Sequence, residues 1–202
     1  MKGYVMKKLI ICFLLSFATT GVFAQAKNFQ GFTIGVNGSS VGSSTNVNGS
    51  GASIDMGQQT FIPSAELGYY YGVADAVIGL TATYDFVNTK AGQATVNSDS
   101  INLVGKNHYS INLKPGYAIT PSTLIYATVG YNSIKGEITG GVLTGSANFS
   151  GVGYGVGVVQ LVDKNVFLKA EIQQISYESK VVSGVTYQPS STVGTVGIGY
   201  KF

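Results

Sequence analysis

Residues 76–86 of this 202-residue chain read AVIGLTATYDF and alternate between two kinds of side chain. One set of positions is uniformly apolar and consists of Ala76, Ile78, Leu80, Ala82, Tyr84 and Phe86. The positions between them are mostly small or polar and consist of Val77, Gly79, Thr81, Thr83 and Asp85. Because successive side chains of a strand point to opposite faces, this period of two predicts a β-strand with one apolar and one polar face.

The same period recurs along the chain, and no sustained 3.6-residue apolar period appears after residue 30. Eight segments show it, near 30–38, 59–71, 75–87, 103–117, 123–132, 148–160, 165–177 and 190–202. Three connections are tight, at 72–74, 118–122 and 161–164. Four are long and rich in Ser, Thr, Asn and Gly, at 39–58, 88–102, 133–147 and 178–189. We interpret the long connections as loops, and short turns alternating with long loops are typical of an up-and-down barrel in a bacterial outer membrane.

The distribution of charge distinguishes this barrel from a soluble β-sandwich or a lipocalin-like barrel, whose apolar face points inward. Charged residues make up 10% of the chain, against about 25% in average domains. Eighteen of them follow residue 24, and none falls on the apolar face of the eight segments. A Lys facing hydrocarbon at mid-depth would cost about 2–4 kcal/mol, so the exclusion predicts that the apolar face contacts lipid.

The chain begins with the pattern of a secretory signal. A basic stretch ends at Lys8, an apolar run follows, and small residues stand before the expected cleavage point after Ala24. A membrane-spanning helix needs about 20 apolar residues, and this run is shorter. We therefore predict a signal peptide over residues 1–24 and a barrel domain over 25–202, with Ala26 as the alternative cleavage position.

The last predicted strand carries Ile198, Tyr200 and Phe202 on its apolar face and stops at Phe202. It resembles the closing strand of bacterial outer-membrane barrels, where the terminal aromatic residue is part of the signal read by the assembly machinery. Three further stretches resemble the same family: LIYATVGY at 124–131, GVGYGVG at 151–157 and LKAEI at 168–172.

Together these stretches are similar to the eight-stranded surface barrels of the opacity-protein and outer-membrane-protein-X type, related in architecture to the transmembrane domain of outer membrane protein A. The resemblance implies an outer-membrane protein among lipid and lipopolysaccharide, with long loops outside the cell. It also implies that those loops contact host surface or serum molecules, as they do in adhesins of the family.

The polar face of the predicted strands carries charges that we expect inside the barrel: Glu66, Asp85, Lys114, Lys169 and Glu171. His108 and Lys106 are expected higher in the lumen. One interpretation is an ion-pair network that plugs the interior, and the other is a gated channel. Because side chains just fill an eight-stranded barrel, the plug is favoured.

His108 and Ser110 lie two residues apart on one face, which resembles the His-x-Ser pair of lipid A deacylase, another outer-membrane barrel. That family also has a Glu about a dozen residues further on, where this chain has Ser122, and its site faces lipid. Here the alternation turns both residues inward. One His and scattered acids predict no metal site, and no cofactor motif stands out.

The sequence therefore predicts an all-β, eight-stranded antiparallel up-and-down transmembrane β-barrel that is not an enzyme and binds no cofactor. We expect a structural role, interactions through the long loops, or both. A small porin-like channel and a lipid A-modifying enzyme are the alternatives. The chain has no Arg and no Lys cluster after Lys8, so nucleic-acid binding is not expected.

Overall fold

The computed structural model of the chain describes residues 25–49, 52–96, 99–139, 145–182 and 185–202. Side chains are described for a narrower set, 25–44, 59–89, 104–137, 145–179 and 188–202. The predicted signal peptide lies outside the described residues.

A short N-terminal 3-10 helix (Gln25–Phe29) is followed by ten strands. The strands are β1 (Gly31–Gly49), β2 (Ala52–Val73), β3 (Ala76–Asp85), β4 (Thr89–Val96), β5 (Asp99–Thr120), β6 (Thr123–Thr139), β7 (Gly145–Leu161), β8 (Val166–Tyr177), β9 (Lys180–Val182) and β10 (Val185–Lys201). Within the described residues, no helix is long and apolar enough to cross a membrane.

Eight of the strands form a closed barrel. They pair in the order β1-β2-β3-β5-β6-β7-β8-β10, every pair is antiparallel, and β1 pairs with β10 from Thr33↔Lys201 to Asn48↔Thr186. The short strands β4 and β9 pair with β5 and β10. The predicted eight-stranded antiparallel barrel is confirmed.

The two faces of the barrel wall are arranged as the alternation predicts. On β3, Ile78 and Leu80 are each 57% exposed, whereas their neighbours Val77 and Thr81 are each 1% exposed. The same contrast separates exposed Tyr69 from buried Tyr70 on β2. The outer surface is therefore apolar and the interior is mostly polar, which is the arrangement of a barrel that faces lipid.

The four predicted long loops are wrong in large part, because strands continue through most of those residues. The β1–β2 hairpin stays paired up to Gly49↔Ala52, and the β5–β6 ladder extends to Asn102↔Thr139. On β1 the inward Ser39 and Ser43 are buried and the outward Ser40 and Ser44 are exposed, yet all four are serines, so the period of two disappears from the sequence. The backbone hydrogen bonds between the strands continue through these residues, because they need no apolar face. We call this end of the barrel the long-hairpin end.

The opposite end has the short turns and carries the N-terminal helix. The backbone N–H of Ala26 donates to the carbonyl of Ala74 (3.2 Å), and Asn28 Nδ2 donates to the carbonyl of Pro121 (2.9 Å). Ala26 and Phe29 are buried in an apolar cluster with Tyr70, Val77, Ala118, Leu124, Tyr126, Val159 and Phe167. This cluster, which we call the short-turn seal, lies at the short-turn end of the barrel, and nothing in the sequence analysis predicted it.

Candidate functional site in the barrel interior

Four charged side chains from three strands project into the middle of the lumen. Glu66 comes from β2, Lys114 from β5, and Lys169 and Glu171 from β8. Each follows the alternation of its strand, so that Glu66, for example, points inward beside outward Leu67, which is exposed to the lipid side. We call these four residues the ion-pair cluster.

The cluster is held by short contacts. Lys114 Nζ lies 3.1 Å from Glu66 Oε2 and 3.1 Å from Glu171 Oε2, and Lys169 Nζ lies 2.8 Å from Glu66 Oε2. The hydroxyl of Tyr126 donates to Glu171 Oε2 at 2.7 Å. Two carboxylates and two ammonium groups give the cluster no net charge, and the Lys114 side chain is 0% exposed. Buried charges are tolerated when they are paired in this way.

Two tyrosines fill the lumen beside the cluster. The Lys114 Nζ lies 5.3 Å from the centre of the Tyr126 ring, within range of a cation–π contact. Glycines leave room for both rings, since a Cβ on Gly157 would overlap Tyr126 and a Cβ on Gly79 would overlap Tyr70. The Tyr126 side chain therefore contacts both a carboxylate and an ammonium group of the ion-pair cluster.

Asp85 does not join the cluster, although the sequence analysis grouped it there. Its Oδ2 lies 2.8 Å from His108 Nδ1. The reason is register, because Thr83 is the β3 partner of Glu66, and Asp85 lies two residues further towards the long-hairpin end. The other ring nitrogen, His108 Nε2, is buried and has no hydrogen-bond partner among the described residues.

Lys106 lies at the long-hairpin end in an exposed network. Its ammonium group and that of Lys135 both contact Glu137. Hydrogen bonds from Lys106 and Lys135 hold the pKa of the Glu137 carboxyl below its ordinary value. The sequence analysis missed Lys135 and Glu137 because both fall in a stretch that it interpreted as a loop.

His108 and Ser110 are not assembled as a nucleophile and its base. Ser110 Oγ accepts a hydrogen bond from Asn112 Nδ2 (2.9 Å), and His108 Nδ1 is hydrogen-bonded to the Asp85 carboxylate. No described hydrogen bond joins the two side chains, and Ser110 is buried in the lumen, away from lipid. In the part of the chain that the structure describes, no group of three or more His, Cys, Asp or Glu side chains could hold a metal ion.

The family model of the outer membrane protein beta-barrel domain matches residues 10–202. The chain belongs to this family. As an outer membrane β-barrel protein it resides in the bacterial outer membrane, like the other members.

Several solved structures share this fold. Ail, the attachment invasion locus protein of Yersinia pestis, has 15% identity and a TM-score of 0.51, over 86% of this chain and 99% of Ail. Neisserial surface protein A has 19% identity and a TM-score of 0.51, over 85% and 97%. The outer membrane protease OmpT of Escherichia coli has 9% identity and a TM-score of 0.51, over 92% and 99%. At these identities the likeness shows the fold alone, and among curated proteins none matches the chain by sequence.

The closing strand of this outer membrane β-barrel protein presents the residues expected to form its assembly signal. Ile198, Tyr200 and Phe202 are all exposed on the outer surface. The rings of Tyr200 and Phe202 lie 5.0 Å apart, and the backbone N–H of Phe202 donates to the carbonyl of Phe32 (2.9 Å). The C-terminus is therefore tied to the first strand, with its aromatic side chains directed towards lipid.

Proposed function

We propose that this outer membrane β-barrel protein is a non-enzymatic surface protein with a plugged lumen. Its extended hairpins would stand outside the cell, among lipopolysaccharide, and bind host or environmental molecules. The observation that carries the proposal is the ion-pair cluster, which places four charged side chains, paired with one another, across the lumen.

The lumen is obstructed at two levels, which argues against a channel. In the proposed plug the ion-pair cluster fills the middle of the barrel, and the short-turn seal, which includes Tyr70 and Tyr126, fills the adjoining part towards the short turns. An ion crossing the barrel would have to break charge pairs that are shielded from water, which costs several kcal/mol. The interior of an eight-stranded barrel is just wide enough for its side chains, so no open path is left around such a plug.

The orientation follows from the asymmetry of the two ends. Short turns and both described chain ends lie at one end, and the extended hairpins lie at the other. Outer-membrane barrels have short periplasmic turns and longer extracellular connections. We therefore place the long-hairpin end outside the cell, where it is available to lipopolysaccharide and to host surface or serum molecules.

The plug predicts a closed barrel in conductance measurements. Purified protein in planar bilayers should show no steady current, while a general porin in the same bilayers does. Lipid A in the reconstituted membrane should also keep its mass. A steady conductance of porin size would contradict the plug, and a mass change abolished by His108→Ala would establish a lipid-modifying enzyme instead.

If the extended hairpins bind host or environmental molecules, removing one of them should reduce that binding. Joining Val41 to Thr60, which pair with each other, through an Asn-Gly turn removes residues 42–59 without disturbing the register below. Insertion should be intact, because β1 keeps its ladder with β10 from Thr33 to Val41 and its ladder with β2 from Gly31 to Val41. Binding of the protein to host cells or serum factors should fall.

The matched control replaces residues 178–189 with a tight turn between β8 and β10, because it trims a different hairpin of the same end. The two variants together report which hairpin binds. Trimmed proteins that insert normally and bind as well as the full chain would show that the hairpins are not the functional part.

A further inference from the structure

Above the ion-pair cluster the lumen contains a cavity of about 240 Å³. Glu66 and Lys169 of the cluster line it on one side, and Ala147 and Ser190 line it towards the long-hairpin end. The cavity therefore lies between the proposed plug and the extended hairpins, and neither of them accounts for it.

Apolar side chains from six of the eight barrel strands line this cavity. Lipid does not explain them, because they face the lumen and not the outer surface. Three of them are buried and three are half-buried. The six side chains are Val41 on β1, Ile62 on β2, Val104 on β5, Ile134 on β6, Phe149 on β7 and Ile175 on β8.

These side chains do not fill the space that they enclose. Protein interiors are normally packed as densely as organic crystals, with few voids larger than a water molecule. Atoms that line a void lose the van der Waals contacts that a neighbour would supply. An apolar molecule in the cavity would restore those contacts, and it would leave water in order to do so.

Hydrogen bonds already join the polar side chains of the wall to one another. Ser39 Oγ lies 2.9 Å from Thr195 Oγ1, and Asn112 Nδ2 donates to Ser110 Oγ at 2.9 Å. The amide of Gln173 donates to Asn112 Oδ1 at 3.2 Å. A polar ligand would have to replace bonds that the protein makes within itself, and such an exchange yields little free energy.

The ionisable groups of the wall already have partners of opposite charge. Glu66, Lys169 and Glu171 are paired within the ion-pair cluster, and Asp85 is paired with His108. A charged ligand would lose its hydration and find no uncompensated charge in return. The wall therefore favours a ligand that is uncharged and apolar.

We propose that this cavity binds a small, uncharged, apolar molecule of the size of a substituted aromatic ring. A dry cavity of ~150 Å³ lined by Leu, Ile and Phe is large enough to bind benzene, and the cavity of about 240 Å³ has room for further carbon atoms. This binding goes beyond the surface interactions proposed for the hairpins, and it is compatible with a closed plug beneath the cavity.

Methyl NMR spectroscopy of the folded protein in nanodiscs of deuterated phospholipid tests the proposal, with toluene as the probe. Ile62, Ile134 and Ile175 report on the cavity, whereas Ile78 and Ile111 are exposed on the lipid-facing surface. Toluene should shift the cavity methyl signals saturably and give nuclear Overhauser effects to them. The lipid-facing signals should change only in proportion to the toluene dissolved in the bilayer. Cavity and lipid-facing signals that respond alike would overturn the proposal.

Three further probes test the chemistry of the ligand. Benzoate and benzylammonium keep the aromatic ring and add a charge, and myo-inositol is neutral and polar. All three should bind at least about tenfold more weakly than toluene, because burying their charged or polar groups costs free energy. Equal or tighter binding of any of them at the cavity methyl groups would contradict an apolar site.

Neighbouring residues on β1 provide a matched pair of variants. Val41 lines the cavity, whereas Ser40 is exposed on the outside of the same strand. Val41→Phe should occupy part of the cavity and weaken toluene binding at least about tenfold, since lost contacts and space are not regained elsewhere. Ser40→Phe should bind like the unmodified chain.

The second cavity variant is Ile175→Phe, used if Val41→Phe does not fold, which the gel migration of unheated and heated samples reports. Undiminished toluene binding by a folded cavity variant would show that the probe binds elsewhere and would overturn the proposal.

Discussion

Lys114→Met should lower the free energy of unfolding by about 3–5 kcal/mol, the range measured when one partner of a buried ion pair is removed. Methionine keeps most of the volume of the side chain and removes its charge. Glu66 still has Lys169 at 2.8 Å, but Glu171 is left with the hydroxyl of Tyr126 as its described hydrogen-bond partner. The destabilisation therefore comes mainly from an uncompensated carboxylate at position 171.

Urea-induced unfolding of the barrel in lipid vesicles measures this loss. Glu171→Gln added to Lys114→Met should recover a large part of it, whereas Glu66→Gln should recover less, because it removes the partner of Lys169. The matched control is Lys164→Met, the same substitution at an exposed turn residue, with little expected effect. Additive losses in the Lys114→Met/Glu171→Gln protein would show that these two side chains do not interact.

Leu80→Lys should lower the free energy of unfolding by about 2–4 kcal/mol, the cost of a cation at the middle of the lipid face. Leu80 lies halfway along β3, which spans Ala76–Asp85, and its side chain is 57% exposed on the outer surface. The ammonium group would lie in hydrocarbon, where neither water nor a carboxylate is within reach.

The control for depth is Phe86→Lys. Phe86 follows the last residue of β3 and is 60% exposed, but near the interface the same charge costs only about 0–1 kcal/mol. Unfolding in vesicles should separate the two variants clearly. Equal losses would mean that β3 does not cross the membrane at the depth assigned here.

The sequence predicted the faces of the barrel because lipid imposes a strict rule on them. A charge cannot lie on the outer surface within the hydrocarbon, so residues such as Glu66 and Lys114 must point inward if their strands cross the membrane. The closed order of strands followed from the same alternation and from the tight turns. These features depend on neighbouring residues, which a sequence displays directly.

The length of the strands was not predictable in the same way. Residues 39–48 are mostly Ser, Asn, Thr and Gly, a composition that turns and polar strands share. Only the ladders with β2 and β10 show that this stretch belongs to β1. The 3-10 helix was also not predicted, because Gln25–Phe29 is positioned by packing against six strands rather than by any local sequence pattern.

The partners within the lumen depend on how far each strand is staggered relative to its neighbours. Lys169 and Glu66 are 103 residues apart, and the stagger between their strands decides whether they meet. The register of β3 against β5, which pairs Thr83 with Ser110, places Asp85 beside His108. A list of inward charges can be predicted from sequence, whereas the pairing between them requires the three-dimensional register.

The position of the 3-10 helix depends on strands from most of the barrel. One residue, Gln30, separates the helix from β1, and β1 is the strand that meets β10 when the ring of strands is completed. The residues that receive the helix come from β2, β3, β5, β6, β7 and β8, so its binding surface exists only after all of these strands are in place. A chain in which any of these six strands is not yet paired therefore lacks part of the surface against which Ala26 and Phe29 are buried. The helix reports on the assembly of strands that lie far from it in the sequence.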